Sequence, residues 1–163
     1  MARRVFFSFH YKPDNWRASQ VRNMGVIEGN APVSDNDWES ITKTGDEAIE
    51  RWINGQLDGK SCAIVLIGAN TAGRKWIEYE IKQSWAAQKG LMGIHIHNLK
   101  DKDGDQSGKG KNPFEGFTLN KEEFSKIVKA YDPPYSASTS VYDYIKKNLA
   151  DWVEEAINTR SKY

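Results

Sequence analysis

Residues Ser61-Cys62-Ala63-Ile64-Val65-Leu66-Ile67-Gly68 form an unbroken apolar run ended by glycine. Without polar alternation, such a run reads as a strand covered on both faces. Two further segments share this character: the aromatic and β-branched Arg4-Val5-Phe6-Phe7-Ser8-Phe9-His10-Tyr11, closed by Lys12-Pro13-Asp14-Asn15, and Leu91 to Ile96. Helical spacing lies between them. Asp14 or Asn15 can cap a helix from Trp16 to about Met24, with a weak strand at Gly25 to Glu28. After Pro32 and Asp35-Asn36-Asp37, apolar residues at Ile41, Ala48, Ile49, Trp52 and Ile53 fit a helix closed by Gly55. Trp76 to Lys89 reads as a helix with Ile77, Ile81 and Trp85 on one stripe and Gly90 as its stop. In the C-terminal part, Pro133-Pro134 excludes helix and favours a short edge strand nearby. Ser140 then caps a helix whose inner face is Val141, Ile145, Leu149, Trp152, Val153 and Ala156. Strands alternating with helices imply an α/β, flavodoxin-like three-layer sandwich with a mostly parallel sheet of about five strands. At 163 residues, with no internal repeat or linker, residues 1–163 are expected to form a single domain. In such a sheet, ligands bind beyond the carboxyl ends of the strands, here Ser8 to Asn15, Gly68 to Trp76 and His95 to Gly110.

Charge and composition narrow the chemistry. Lys and Arg total 23 against 22 Asp and Glu, so no global field attracts nucleic acid or an anionic membrane. The apolar runs fall short of the roughly 20 residues that span a bilayer, and a soluble, cytoplasmic protein is expected. Cys62, the one cysteine, reads as a small core hydrophobe. Gly104 to Lys111 imitates a phosphate-binding loop but has one residue too few between its glycines and no hydroxyl after the lysine. Asp101, Asp103 and Asp105 begin like a calcium loop, yet Gln106 and Asn112 stand where glycine and glutamate are needed, which leaves a solvated, mobile loop. No G-x-G-x-x-G follows a strand, so a dinucleotide, if bound, is held in another manner. His95 and His97 share one strand face but have no third ligand beside them, so no metal site is expected. His10 differs, because it ends the first strand where the ligand cleft should open. Trp52, Trp85 and Trp152 fall on helix stripes and read as core.

One carboxylate stands apart. Trp76 and Glu80 are four residues apart and share a face beside the Ile77 and Ile81 stripe, whereas Glu78 is spaced to pair with Lys82 as a surface charge. A helix-start acid is favoured as the anion by the helix dipole, which suits support of a developing cation such as an oxocarbenium centre. On the residues alone, Glu80 is either catalytic or a plain helix-dipole acid.

The opening strand, Val21-Arg22-Asn23, Val65-Leu66-Ile67-Gly68, Arg74-Lys75-Trp76-Ile77-Glu78-Tyr79-Glu80-Ile81, Gly93-Ile94-His95-Ile96 and Lys111-Asn112-Pro113-Phe114 together resemble the TIR-like domain family of Thoeris anti-phage defence, in register over about residues 3 to 117. From Thr118 onward the chain departs from that pattern. The resemblance implies an enzyme, an NAD glycohydrolase or ADP-ribosyl cyclase, with NAD as substrate, no further cofactor and no metal. It implies Glu80 as the catalytic carboxylate and Phe9, His10, Tyr11 and Trp76 beside the nucleotide. It also implies a cyclic ADP-ribose isomer that activates a separate effector, a phage trigger and a homo-oligomer. A lid to exclude water is expected from Lys100 to Asn112 or from residues 118 to 139. The rival is a non-catalytic TIR-like adaptor, with Glu80 a capping acid and Trp76 an interface anchor. A response-regulator reading is weakened by the lack of an acidic cluster at the end of the first strand.

Overall fold

The computed structural model describes residues 3–29, 43, 45–119 and 121–163. The chain runs through β1 (Val5–Ser8), α1 (Tyr11–Arg22), α2 (Asp46–Leu57), β2 (Cys62–Ile67), α3 (Lys75–Ala86) and β3 (Gly90–His95). There follow the hairpin β4 (Thr118–Leu119) and β5 (Glu122–Glu123), a 3₁₀ turn, β6 (Ala130–Tyr131) and α4 (Ser138–Ser161). Strands β1, β2, β3 and β6 form a parallel sheet in that order, with Val5 opposite Cys62 and Ile67 opposite His95.

Alternate residues of the strands feed two cores. Val5, Phe7, Ile64, Leu66, Met92 and Ile94 pack under α1 and α4, and Phe6, Ala63, Val65, Ile67 and Leu91 pack under α2 and α3. The unbroken apolar runs arise because both faces are covered. Cys62 is fully buried, and burial pushes its thiol up to about 12. The expected inner face of α4, from Val141 to Ala156, is the buried face observed. Trp152 is core, while Trp52 and Trp85 are only partly buried at its margin. Among the described residues, no helix is long and apolar enough to cross a membrane.

Among the described residues the sheet has four strands, where about five were expected from the alternation of elements. The segment at Gly25 to Glu28 contributes a single parallel bridge, Glu28 to Arg4, because the chain turns at Gly25 with φ +77°. That bridge still fixes the topology. Glu28 bonds to the Arg3 carbonyl and the Val5 amide, while the Arg4 carbonyl accepts from Ser61 on the opposite side. The chain therefore goes first to one side of β1 and then to the other, which opens a crevice between the carboxyl ends of β1 and β2.

Several boundaries differ from expectation for local reasons. Helix α1 starts at Tyr11, not Trp16, because Pro13 sits in its first turn, where no N–H is needed. Asp14 is thus not a cap but a buried acid paired with Arg17 at 2.9 Å. Gly55 does not close α2, which runs on to Leu57 and turns at Gly59 with φ +74°. Ile41, Pro32 and Asp35 to Asp37 lie outside the described residues. Helix α3 stops at Ala86, and Gly90 opens β3 instead of ending the helix. It is glycine there for space: a Cβ would stand 2.9 Å from the Ile157 amide nitrogen of α4. Ser140 lies inside the first turn of α4 and is not its cap, which is Ala137. The short β6 precedes Pro133-Pro134 on the sheet edge, as expected for a proline-limited strand.

The segment 98–112 is fastened, not a free loop. Arg17 Nε donates to the Leu99 carbonyl at 2.8 Å and Nη2 donates to the Asp105 carbonyl at 2.9 Å. Asp101 Oδ1 accepts from the Asp103 and Asp105 amides, and Gln106 Nε2 donates to Asn98 and Ser136 carbonyls. The end of β2 is equally tight, since a Cβ on Gly68 would lie 2.0 Å from Asp14 Oδ2. Gly68→Ala is therefore expected to lower unfolding free energy by about 1–3 kcal/mol in urea titration; an unchanged midpoint would show that Asp14 can move aside.

Candidate active site

The crevice at the carboxyl ends of β1 and β2 holds a cleft of about 570 Å³, within the usual range for a small-ligand site. Phe9, His10, Tyr11 and Lys12 form one wall, where β1 hands over to α1. Gly73, Arg74, Lys75, Trp76 and Ile77 form the other, where the loop after β2 enters α3. Gly73 makes that entry with φ +84°, a conformation suited to glycine. Glu80, one turn beyond Trp76, also lines the cleft and is 7% exposed. All of the residues singled out in the sequence, Phe9, His10, Tyr11, Trp76 and Glu80, thus face one space.

The cleft is aromatic on both sides. The Phe9 and Tyr11 rings stack at 5.9 Å and 26°, and Trp76 meets Tyr79 edge-on at 5.6 Å. Beneath them, Ser8 Oγ, His10 Nδ1 and Glu80 Oε2 are buried without a hydrogen bond of ordinary geometry, although the Ser8 hydroxyl neighbours the Glu80 carboxyl. Such groups are destabilising in an apolar setting, and a ligand polar group can satisfy them.

Glu80 is not the dipole-stabilised anion that its place near the helix start suggests. It lies past the first turn of α3, where the dipole has faded, and it is enclosed. Burial pushes its carboxyl up to about 8, and the neighbouring Ser8 hydroxyl offsets only part of this. His10 is held below the ordinary imidazole range, first by burial and then by the Arg74 charge.

This has a consequence for stability. The folded Glu80 pKa, about 8, lies above its ordinary 4.5, so the folded state binds the extra proton between those values. Its contribution is fully present below 4.5 and is lost as pH rises through 8. Glu80→Gln is therefore expected to melt near the wild-type temperature in acid but above it in mild alkali, by a margin that grows across that window. Parallel melting curves at all pH values would contradict the buried carboxyl.

Elsewhere the structure departs from simple pairing. Lys82 does not pair with Glu78; its Nζ lies 5.6 Å from the Phe117 ring centroid. His95 and His97 are buried with rings 5.9 Å apart, and burial pushes His95 down to about 4. Among the described residues, no group of three or more His, Cys, Asp and Glu side chains could hold a metal. Neither Lys100 to Asn112 nor residues 118 to 139 contribute to the cleft lining among the described residues, so neither is its lid in this conformation. Ser8, Lys12 and Arg74 fall within the strand-end segments expected to bind ligand, but sequence reasoning singled out none of them; the available signal was their place at the strand end and at the two helix starts.

The model of the Thoeris protein ThsB, TIR-like domain, matches residues 6–101. The chain belongs to the Thoeris ThsB TIR-like family. That match contains every cleft residue named above. A relative from Bacillus cereus strain MSX-D12, named as a candidate cyclic ADP-D-ribose synthase, ThsB1, is 46% identical over 120 residues. The alignment covers 71% of this chain and 62% of that relative, less than two thirds of its length. The family match thus runs through most of β1 and all of β2, α3 and β3.

Proposed function

We propose that this chain splits NAD at the nicotinamide–ribose bond and closes the ADP-ribosyl unit on itself, making a cyclic ADP-ribose isomer. The observation that carries the reading is Glu80: an enclosed carboxyl group with an unpartnered oxygen, in an aromatic cleft at the switch point of the sheet. Family membership and the name of the Bacillus cereus relative support it.

The chemistry follows from the environment. Burial holds Glu80 largely protonated at neutral pH. The pyridinium ring of NAD is a cation, and its arrival favours the carboxylate. As the C–N bond breaks, the bonding pair leaves with nicotinamide, which departs neutral, and the positive charge moves to the ribosyl centre. Glu80 faces that charge in a site of low dielectric, where stabilisation is strongest. A hydroxyl of the same molecule then bonds to the centre and its proton passes to Glu80, whose raised pKa suits a base. Capture by water instead gives linear ADP-ribose. Trp76 and Tyr11 offer faces on which the rings of the substrate stack. The product is the message: it diffuses to a separate effector protein, in response to a phage trigger and in a cytoplasmic setting. No resident cofactor takes part. The adaptor reading gives no role to a buried, unpartnered acid in a cleft of this size.

Chromatography with mass spectrometry of NAD incubated with the purified protein, and of lysates from phage-infected cells, tests the reading. A new species one water lighter than linear ADP-ribose is expected. Linear ADP-ribose alone would make the protein a glycohydrolase, and untouched NAD in both settings would favour the adaptor.

A further inference from the structure

Charge in the cleft is divided between its mouth and its base. Lys12, Arg74 and Lys75 are exposed on the two walls, and the only acid in the lining among the described residues, Glu80, is enclosed. Lys75 is spoken for, paired with Asp46 and lying 4.8 Å from the Trp76 ring centroid. Among the described residues, Lys12 and Arg74 have no anionic partner. Two helices also begin here: the first turns of α1 and α3 both line the cleft, and neither has a side-chain cap. Their positive dipole ends add to the same field.

We propose that Lys12 and Arg74, with the N-termini of α1 and α3, bind the diphosphate of a dinucleotide, and so orient the substrate with its phosphates at the mouth and its nicotinamide ribose at Glu80. This rests on the proposed NAD cleavage for its substrate but not for its ligand chemistry. Two exposed cations on opposite walls, beside two helix starts, match the two negative charges of a diphosphate in number. The buried Glu80 oxygen and His10 Nδ1, both unpartnered, mark the inner end that the rest of the ligand reaches. Arg74 and His10 line the same cleft from opposite walls, and the Arg74 charge adds to burial in holding the His10 imidazole below its ordinary range. The polarity also explains why Glu80 sits deep: the cationic ring is drawn inward and the anionic bridge is held outside.

The test compares two substrates that share the scissile bond, NAD and nicotinamide riboside, which carries no phosphate. Lys12→Gln and Arg74→Gln are each expected to raise KM for NAD about tenfold with kcat little changed, as loss of one charge-assisted contact would. The double variant should approach the product of the two effects, while kcat/KM for nicotinamide riboside stays at the wild-type value. Equal losses on both substrates, or none on either, would overturn the assignment. Calorimetric titration with ADP-ribose gives a second readout that needs no turnover. Wild-type binding weakened in both variants would support the diphosphate site even if NAD is never cleaved. Binding that the variants do not weaken, or no wild-type binding at millimolar ligand, would overturn it.

Discussion

Glu80→Gln should lower kcat for NAD by about a thousandfold while leaving KM within a few-fold of wild type. Glutamine keeps the size and shape of the side chain, so the aromatic walls and the cleft mouth are undisturbed. What is lost is the negative charge opposite the ribosyl centre and the base that takes the proton on ring closure. Both act only as the bond breaks, so the loss belongs in kcat. The wild-type profile should also be pH-dependent. Because burial pushes the carboxyl up to about 8 and the carboxylate is the active form, kcat/KM rises with pH up to that region and then levels. A variant retaining a tenth of wild-type turnover, or a flat wild-type profile, would show that Glu80 is not the group that meets the reacting centre.

The largest effect on stability is expected from Arg17→Ala, a loss of about 3–5 kcal/mol in urea titration. Arg17 is 3% exposed and Asp14 is 1% exposed, so removing the guanidinium strands a buried acid. Even with Arg17 present, burial holds the Asp14 carboxyl above its ordinary range. The same side chain fastens three carbonyls, those of Pro13, Leu99 and Asp105, and so ties α1 to the segment after β3. Pairing Arg17→Met with Asp14→Asn should recover much of the loss, because the stranded charge is then gone. Equal destabilisation of the single and double variants would place the effect in the lost carbonyl contacts, not in Asp14. Since Asp14 also packs against Gly68 at the end of β2, the single variant should loosen the wall that carries Phe9 and His10 and raise KM for NAD.

Burial pattern carried most of the fold in the sequence. The continuous runs of β2 and β3 and the spaced face of α4 are written in residue type, because both sheet faces and one helix stripe need apolar side chains. The start of α1 was hidden because Pro13-Asp14-Asn15 has turn composition, and only the tertiary pair with Arg17 makes Asp14 a core residue. The weak strand expected at Gly25 to Glu28 shrinks to one bridge at Glu28, which nonetheless sets the switch point. At the site, the spacing of Trp76 and Glu80 placed them together, and the strand-end rule placed Phe9, His10 and Tyr11 opposite. The protonation of Glu80 was not legible, since it depends on enclosure by β1 and Ser8 and not on its place along α3. Nor was the mouth of the cleft, whose two walls bring Lys12 and Arg74 to one space only after folding.

The most direct measurement is nicotinamide release from NAD, followed by chromatography, for wild-type protein and Glu80→Gln of equal folded content, each alone and in phage-infected lysate. Release by the wild type in at least one setting, and its near-complete loss in the variant, is the expected result. Equal release by the two proteins, or none by wild type in either setting, would contradict cleavage of NAD at this carboxyl.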